Sequence, residues 1–169
     1  MPIFDGAFRR NKLRYVAQCL LAAGAFTVIL ALLKNISNTT VVASLGSTGF
    51  IVFTMPQRRA ARGRYLIGGY VVGIASGMLF LCLSRWVAVP DTFAGIPHFP
   101  DVLFGPLAVA VAMFVMVITN TEHPPAAGVA LGFVFLNHIG WLAPTAVLAG
   151  IASLHLAHVL LRPVLRDLL

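Results

Sequence analysis

The sequence predicts an all-α polytopic membrane protein of about six hydrophobic segments, and three observations carry that expectation. The 169-residue chain is 59% hydrophobic and 10% charged, with a mean hydropathy of +0.92. A soluble domain of this length needs far more charge on its surface. Several apolar runs approach the roughly 20 residues that a helix needs to cross the hydrocarbon core. The basic residues gather between those runs rather than within them. The longest connection, 84–101, leaves no room for a soluble catalytic domain.

Residues 1–14 form a basic N-terminal stretch with Arg9, Arg10, Lys12 and Arg14, and segment one covers 15–33. A polar turn, 34–40, leads into segment two, 41–56, which is short and interrupted by Ser44-Leu45-Gly46-Ser47-Thr48-Gly49. A second basic loop, 57–64, carries Arg58, Arg59, Arg62 and Arg64. Segment three, 65–83, contains Gly69, Gly73 and Gly77, a small-residue stripe suited to close helix packing. Beyond the Pro-rich loop come segment four (102–119), a short segment five (124–137) and segment six (141–161), then a tail, 162–169, with Arg162 and Arg166. The whole chain reads as a single membrane domain. No signal-peptide pattern precedes segment one. Cys19 and Cys82 lie within apolar runs and read as buried thiols.

Six crossings put both termini on one side with loop 57–64. That side holds ten of the twelve Lys and Arg, leaving Lys34 and Arg85 opposite. The positive-inside bias makes it the cytoplasm, and the expected location is a bacterial inner membrane. The net charge of +7 therefore reads as topology, with no nucleic-acid partner. The halves also look related. Gly73-Ile74-Ala75-Ser76 recurs as Gly150-Ile151-Ala152-Ser153, and Gly49-Phe50-Ile51-Val52-Phe53 resembles Gly132-Phe133-Val134-Phe135-Leu136. Three segments per half would make the repeats inverted. Short segments in matching positions of such repeats point to a transport site near the midplane. The competing explanation is chance recurrence of small and aliphatic residues.

The stretch Thr119-Asn120-Thr121-Glu122-His123-Pro124-Pro125-Ala126-Ala127-Gly128 stands out between two apolar runs. Proline lacks the N–H that a helix interior needs and suits a helix's first turn. One helix is expected to end near Thr119 and another to start at Pro124, capped by His123 or Thr121. Free N–H groups and the positive dipole end would then lie beside His123, a setting for a small anion. The plainer reading is a helix joint with His123 satisfied by a carbonyl.

Glu122-His123-Pro124-Pro125-Ala126-Ala127-Gly128, followed by Ala130-Leu131, resembles the signature of the HPP family of integral membrane proteins. Two further stretches are similar: Ala43-Ser44-Leu45-Gly46-Ser47 with 53–56 behind it, and Arg64-Tyr65-Leu66-Ile67-Gly68-Gly69. The motifs keep their order, and the similarity covers roughly 41–161. Family members usually carry a histidine after that Gly-Gly pair, where this chain has Tyr70. The resemblance implies membrane transport, with plant and cyanobacterial members described as nitrite transporters.

The expected function is passage of a small inorganic anion, nitrite first and nitrate-like ions next. The candidate binding residues are His123, Pro124, Pro125 and Ala126, the segment Ser44, Gly46, Ser47 and Thr48, and Arg64 at the cytoplasmic lip. The favoured reading of Arg64 is a topology anchor that snorkels to the interface. Glu122 reads as a structural ion pair or a surface acid, with proton transfer as the sharper alternative. His155 and His158, three apart on the last helix, read as packing rather than as metal ligands. No hydrolase triad, CxxC pair, HExxH motif or phosphate loop is present, so no enzyme activity, cofactor or metal is expected. Expected partners are the anion, the lipid bilayer and further copies of the chain. Channel and proton-coupled carrier both stay open. The rival readings are a non-transporting assembly or sensor module and a transporter or channel for another small solute.

Overall fold

The computed structural model describes residues 8, 10–32, 39–87, 99–136 and 140–168. Six α-helices account for most of them: α1 (Lys12–Leu32), α2 (Thr39–Thr54), α3 (Gly63–Trp86), α4 (Phe99–Thr119), α5 (Pro124–Val134) and α6 (Leu142–Leu161). A single 3-10 turn, Arg59–Ala61, links α2 to α3. The described residues form the expected all-α architecture with six segments. Helices α1, α3, α4 and α6 are long and apolar enough to cross a membrane. Helix α5 has 11 residues and so spans only about 16 Å, about half of a ~30 Å hydrocarbon core. Helix α2, with 16 residues, reaches about 24 Å.

Successive helices along the chain run antiparallel, which sorts their ends into two groups. At one end Gln18 of α1 bonds the Phe53 carbonyl of α2, and His158 of α6 contacts the Pro56 carbonyl. There too Arg64 of α3 donates to the Thr119 carbonyl of α4. Arg10, Lys12, Arg14, Arg58, Arg59, Arg62, Arg64, Arg162 and Arg166 all belong to this end. Among the described basic residues only Arg85 lies at the other, where it pairs with Asp101 at 3.2 Å and donates to the Leu136 carbonyl at 2.8 Å. That contact ties together the end of α3, the start of α4 and the end of α5. Lys34, Asn137 and His138 fall outside the described residues.

Helix α3 is the packing centre and lies against α4, α5 and α6. The other substantial pairings are α4 with α5, α2 with α5, α2 with α6, α1 with α6 and α1 with α2. Exchanging α1 with α4, α2 with α5 and α3 with α6 maps this set of pairings onto itself. Helices α1, α3 and α5 start at the basic end while α2, α4 and α6 finish there, so each exchanged pair runs in opposite directions. The pairing is therefore that of two inverted three-helix halves.

The glycine stripe explains how α5 is held. A methyl group on Gly69 would sit 2.6 Å from the His123 Cβ, and one on Gly77 would sit 2.7 Å from the Phe133 Cβ. A methyl on Gly73 would run into the Ala126 carbonyl oxygen. The stripe is consumed inside the chain, where it lets the α3 and α5 backbones approach closely. It leaves no small-residue face on that side of α3 for a second copy. Apolar side chains such as Phe114, Val117 and Ile118 of α4 point outward instead, as lipid-facing residues do.

The C-terminal tail is docked rather than free. Leu165 and Leu168 are buried, the Leu168 N–H donates to the Thr54 carbonyl at 2.8 Å, and Tyr15 donates to the Leu168 carbonyl at 2.7 Å. Gln18, buried in α1, donates to the Arg166 carbonyl at 2.8 Å. An amide side chain in an apolar helix is thus fully employed tying the tail to α1 and α2.

These contacts distinguish two glycines by stability. Gly73→Ala forces α3 and α5 apart and should cost about 1–3 kcal/mol, the usual range for overpacking. Gly128 has open space around its Cα, so Gly128→Ala should be neutral or stabilising through helix propensity. Thermal unfolding in detergent compares the two; equal midpoints would contradict this packing.

Candidate functional site

The end of α4 sets up the site. Asn120 takes the left-handed conformation, φ 53°, which asparagine tolerates better than most residues. Its N–H bonds the Val117 carbonyl at 3.2 Å, and the Thr121 N–H reaches back to the Met116 carbonyl at 2.9 Å. This is a Schellman closure with asparagine in the position glycine usually holds. Tyr65 bonds the Asn120 side chain at 3.2 Å, and Arg64 donates to the Thr119 carbonyl at 3.0 Å. The chain then turns, and α5 starts at Pro124 with His123 as its N-cap. Both helix boundaries lie where the prolines place them. The His123 side chain makes no capping hydrogen bond.

The ring of His123 instead turns into the bundle and is 1% exposed. Its Nε2 lies 2.9 Å from the Thr48 hydroxyl of α2. Thr48 lies 2.8 Å from the Tyr70 hydroxyl of α3, and Tyr70 donates to the Ser44 carbonyl at 2.9 Å. Thr48, Tyr70 and His123 are all buried. Three helices thus meet through one polar chain inside an apolar core formed by residues such as Leu45, Val52, Leu66 and Val129.

The protons in this chain have a fixed direction. A carbonyl only accepts, so Tyr70 spends its one proton on Ser44. The Tyr70 oxygen must then accept from Thr48, and the Thr48 oxygen must accept from His123. This is the one arrangement that fills all three of these contacts. It makes Nε2 the protonated nitrogen of His123. The Ala60 carbonyl faces the ring, but Nδ1 makes no hydrogen bond and is buried.

The expected residues divide. His123 and Thr48 come together, and Ser44, one turn before Thr48 on the same face of α2, contributes its carbonyl. Ala126 is buried against Gly73, where it packs and offers no polar group. Gly46 lies on the opposite face of α2, in a groove shared with α1. Ser47 is exposed and bonds the Ala43 and Ser44 carbonyls of its own helix. Arg64 is exposed and caps α4.

One physical part of the expectation needs correction. The start of α5 offers no free N–H, because Pro124 and Pro125 have none and the Ala126 N–H already bonds the His123 carbonyl at 2.9 Å. Among the described residues, the Glu122 and His123 N–H groups, just before the prolines, have no backbone acceptor. The site also sits nearer the basic end than the middle. His123 is level with Gly69, six residues into α3, or about 9 Å from its start.

Tyr70 was absent from the expected set. Its signal was available: a hydroxyl-bearing aromatic directly after Gly68-Gly69, within the glycine stripe of α3. Glu122 is exposed, with no ion pair among the described residues. With His123 and Pro124 it lines a recess of about 240 Å³ that is otherwise walled by Met113, Met116, Val117 and Ala127. His158 bonds the Pro56 carbonyl at 3.1 Å, and no three-residue metal cluster exists among the described residues.

Removing the middle of the polar chain should be costly. Tyr70→Phe removes the buried hydroxyl that bonds both Thr48 and the Ser44 carbonyl and should destabilise by about 1–3 kcal/mol. Ser47→Ala, on the exposed side of the same helix, should fall within about 0.5 kcal/mol of wild type. Unfolding in mixed micelles measures both, and a Tyr70→Phe protein as stable as wild type would contradict the geometry.

Comparison with known proteins bears on the whole chain. The family model described as "HPP, transmembrane region" matches residues 9–167. No curated protein and no solved structure gives a match. With six apolar helices and the His-Pro-Pro start of α5 in place, a match over nearly the full length settles the relationship: the chain belongs to the HPP transmembrane family.

Proposed function

We propose that this membrane protein transports a small inorganic anion, with nitrite the first candidate, through a site centred on His123. The observation that carries the reading is the buried polar chain from His123 through Thr48 and Tyr70 to Ser44. Polar groups inside a membrane domain are costly and mark solute or proton pathways far more often than they mark filler. The bend before α5 supplies the ion's partners: the Glu122 and His123 N–H groups and the positive end of the α5 dipole. A few dipoles hold a monovalent ion without trapping it, which release requires. Nitrite itself comes from the family resemblance.

Several features shape the mechanism. The basic end carries Arg59, Arg62 and Arg64, the last bonded to the Thr119 carbonyl at the bend, a local field that gathers anions. By the positive-inside bias that end faces the cytoplasm of a bacterial inner membrane. His123 is sealed from solvent, so an ion reaches it only if the helices move. That favours a carrier over an open channel. Inverted halves allow such motion by rocking one against the other. The seam is where short α2 and α5 meet.

Nitrite uptake into proteoliposomes tests the proposal. Wild type should take up nitrite faster than protein-free vesicles, and His123→Ala should lose most of that excess. Equal rates in wild type, His123→Ala and protein-free vesicles, with nitrite and with nitrate, would overturn it in favour of a non-transporting module.

A further inference from the structure

We infer that His123 carries one proton with each anion, so that transport is an electroneutral one-to-one symport, and that Tyr70 is the positioning residue that enforces the coupling. This rests on the anion-transport reading and adds its stoichiometry.

The inference starts from the direction of the hydrogen bonds. Tyr70 gives its proton to Ser44 and Thr48 gives its proton to Tyr70, so the Nε2 proton of His123 is committed to Thr48. The nitrogen left over is Nδ1, buried and without a hydrogen bond. In the neutral ring Nδ1 is a lone pair, which repels an anion. It becomes a donor only after taking up a second proton. The ring then holds a proton on each nitrogen, one for Thr48 and one for the anion. When the anion leaves with the Nδ1 proton, the ring returns to its starting form. One proton and one negative charge have crossed, and no net charge has moved.

The surroundings favour the neutral pair over the bare ion. The recess that His123 lines is walled mainly by Met113, Met116, Val117 and Ala127. A lone anion against such a wall would be poorly solvated. The ionisable groups on the elements around His123 are few. Glu122 is adjacent and exposed, Tyr70 is committed to its hydrogen bonds, and Tyr65 is bonded to Asn120. Arg64 caps α4, and Arg59 and Arg62 are exposed. Helix α2 and the facing turn of α4 carry none. His123 is therefore the buried group placed to take the proton.

Tyr70 acts through Thr48. Without its hydroxyl, the Thr48 proton can turn towards Nε2, and the ring can then carry its proton on Nδ1. An anion could bind that neutral form with no second proton.

The test uses the full-length chain in proteoliposomes with a pH indicator inside and the membrane potential clamped. Nitrite flux is taken as the excess over protein-free vesicles, because neutral nitrous acid leaks through lipid. An inward-acid gradient of one pH unit should shift the coupled accumulation by about tenfold. Reversing the potential should change nothing, and nitrite and protons should enter one for one. His123→Gln, which keeps a donor to Thr48 but takes up no proton, should lose the pH response. Flux that follows the potential and ignores the pH gradient would overturn the coupling while leaving anion transport standing. No protein-dependent flux of nitrite or nitrate would overturn the transport reading and the coupling with it. Nitrogen NMR of histidine-labelled protein gives a readout independent of flux. Wild-type His123 should carry its proton on Nε2, and Tyr70→Phe should move it towards Nδ1. An Nδ1 proton in the neutral wild-type ring would overturn the inference.

Discussion

The hydrogen bond between His123 and Thr48, 2.9 Å long, joins the two helices that are too short to behave like the rest. Helix α5 cannot cross a bilayer alone, and its first turn follows a break in the chain. Left unsupported, that break would expose backbone polar groups to hydrocarbon, which no membrane protein tolerates. The glycine face of α3 and the hydroxyl of Thr48 supply the support. Glycine lets the backbones of α3 and α5 touch, and the close approach brings the ring of His123 within reach of α2. Tyr70, one residue beyond Gly69, then completes the chain. Packing and polar satisfaction are here one constraint.

The same constraint explains why the bundle is closed on the basic side. The Schellman turn at Asn120, the arginine cap on Thr119 and the docked tail all lie at that end. Each satisfies helix-end carbonyls or loop N–H groups with protein rather than with water. Among the described residues, the groups left over at the bend itself are the two N–H groups before the prolines and the Nδ1 of His123. A site made of leftovers at a well-satisfied helix junction suits an ion that must be bound weakly and released.

Much of the fold was legible in the sequence. Apolar run lengths gave the helices, prolines gave the start of α5, and the arginines sorted one end from the other. The inverted pairing was foreshadowed by the recurring Gly-Ile-Ala-Ser. The site was half legible. His123 and Thr48 stood out as polar residues in apolar runs, but their partnership depends on three helices converging, which spacing along one helix cannot encode. The expectation of free N–H groups at α5 counted helix geometry and overlooked that two of the first three residues are prolines. Gly46 and Ser47 were grouped with Thr48 by proximity in sequence, whereas a helix turns Gly46 to the opposite face. The docking of the basic tail could not be read from its own residues, because Gln18, its anchor, lies some 150 residues away.

The direct measure of whether His123 and Thr48 act as one unit is a double-mutant cycle. Thr48→Val, His123→Ala and the double variant would be unfolded reversibly in mixed micelles. A bonded pair in one network should show a coupling of about 0.5–3 kcal/mol, with the double variant less damaged than the sum of the singles. Free energies that add to within about 0.5 kcal/mol would mean the two side chains do not share a bond, and the site built on that bond would fall.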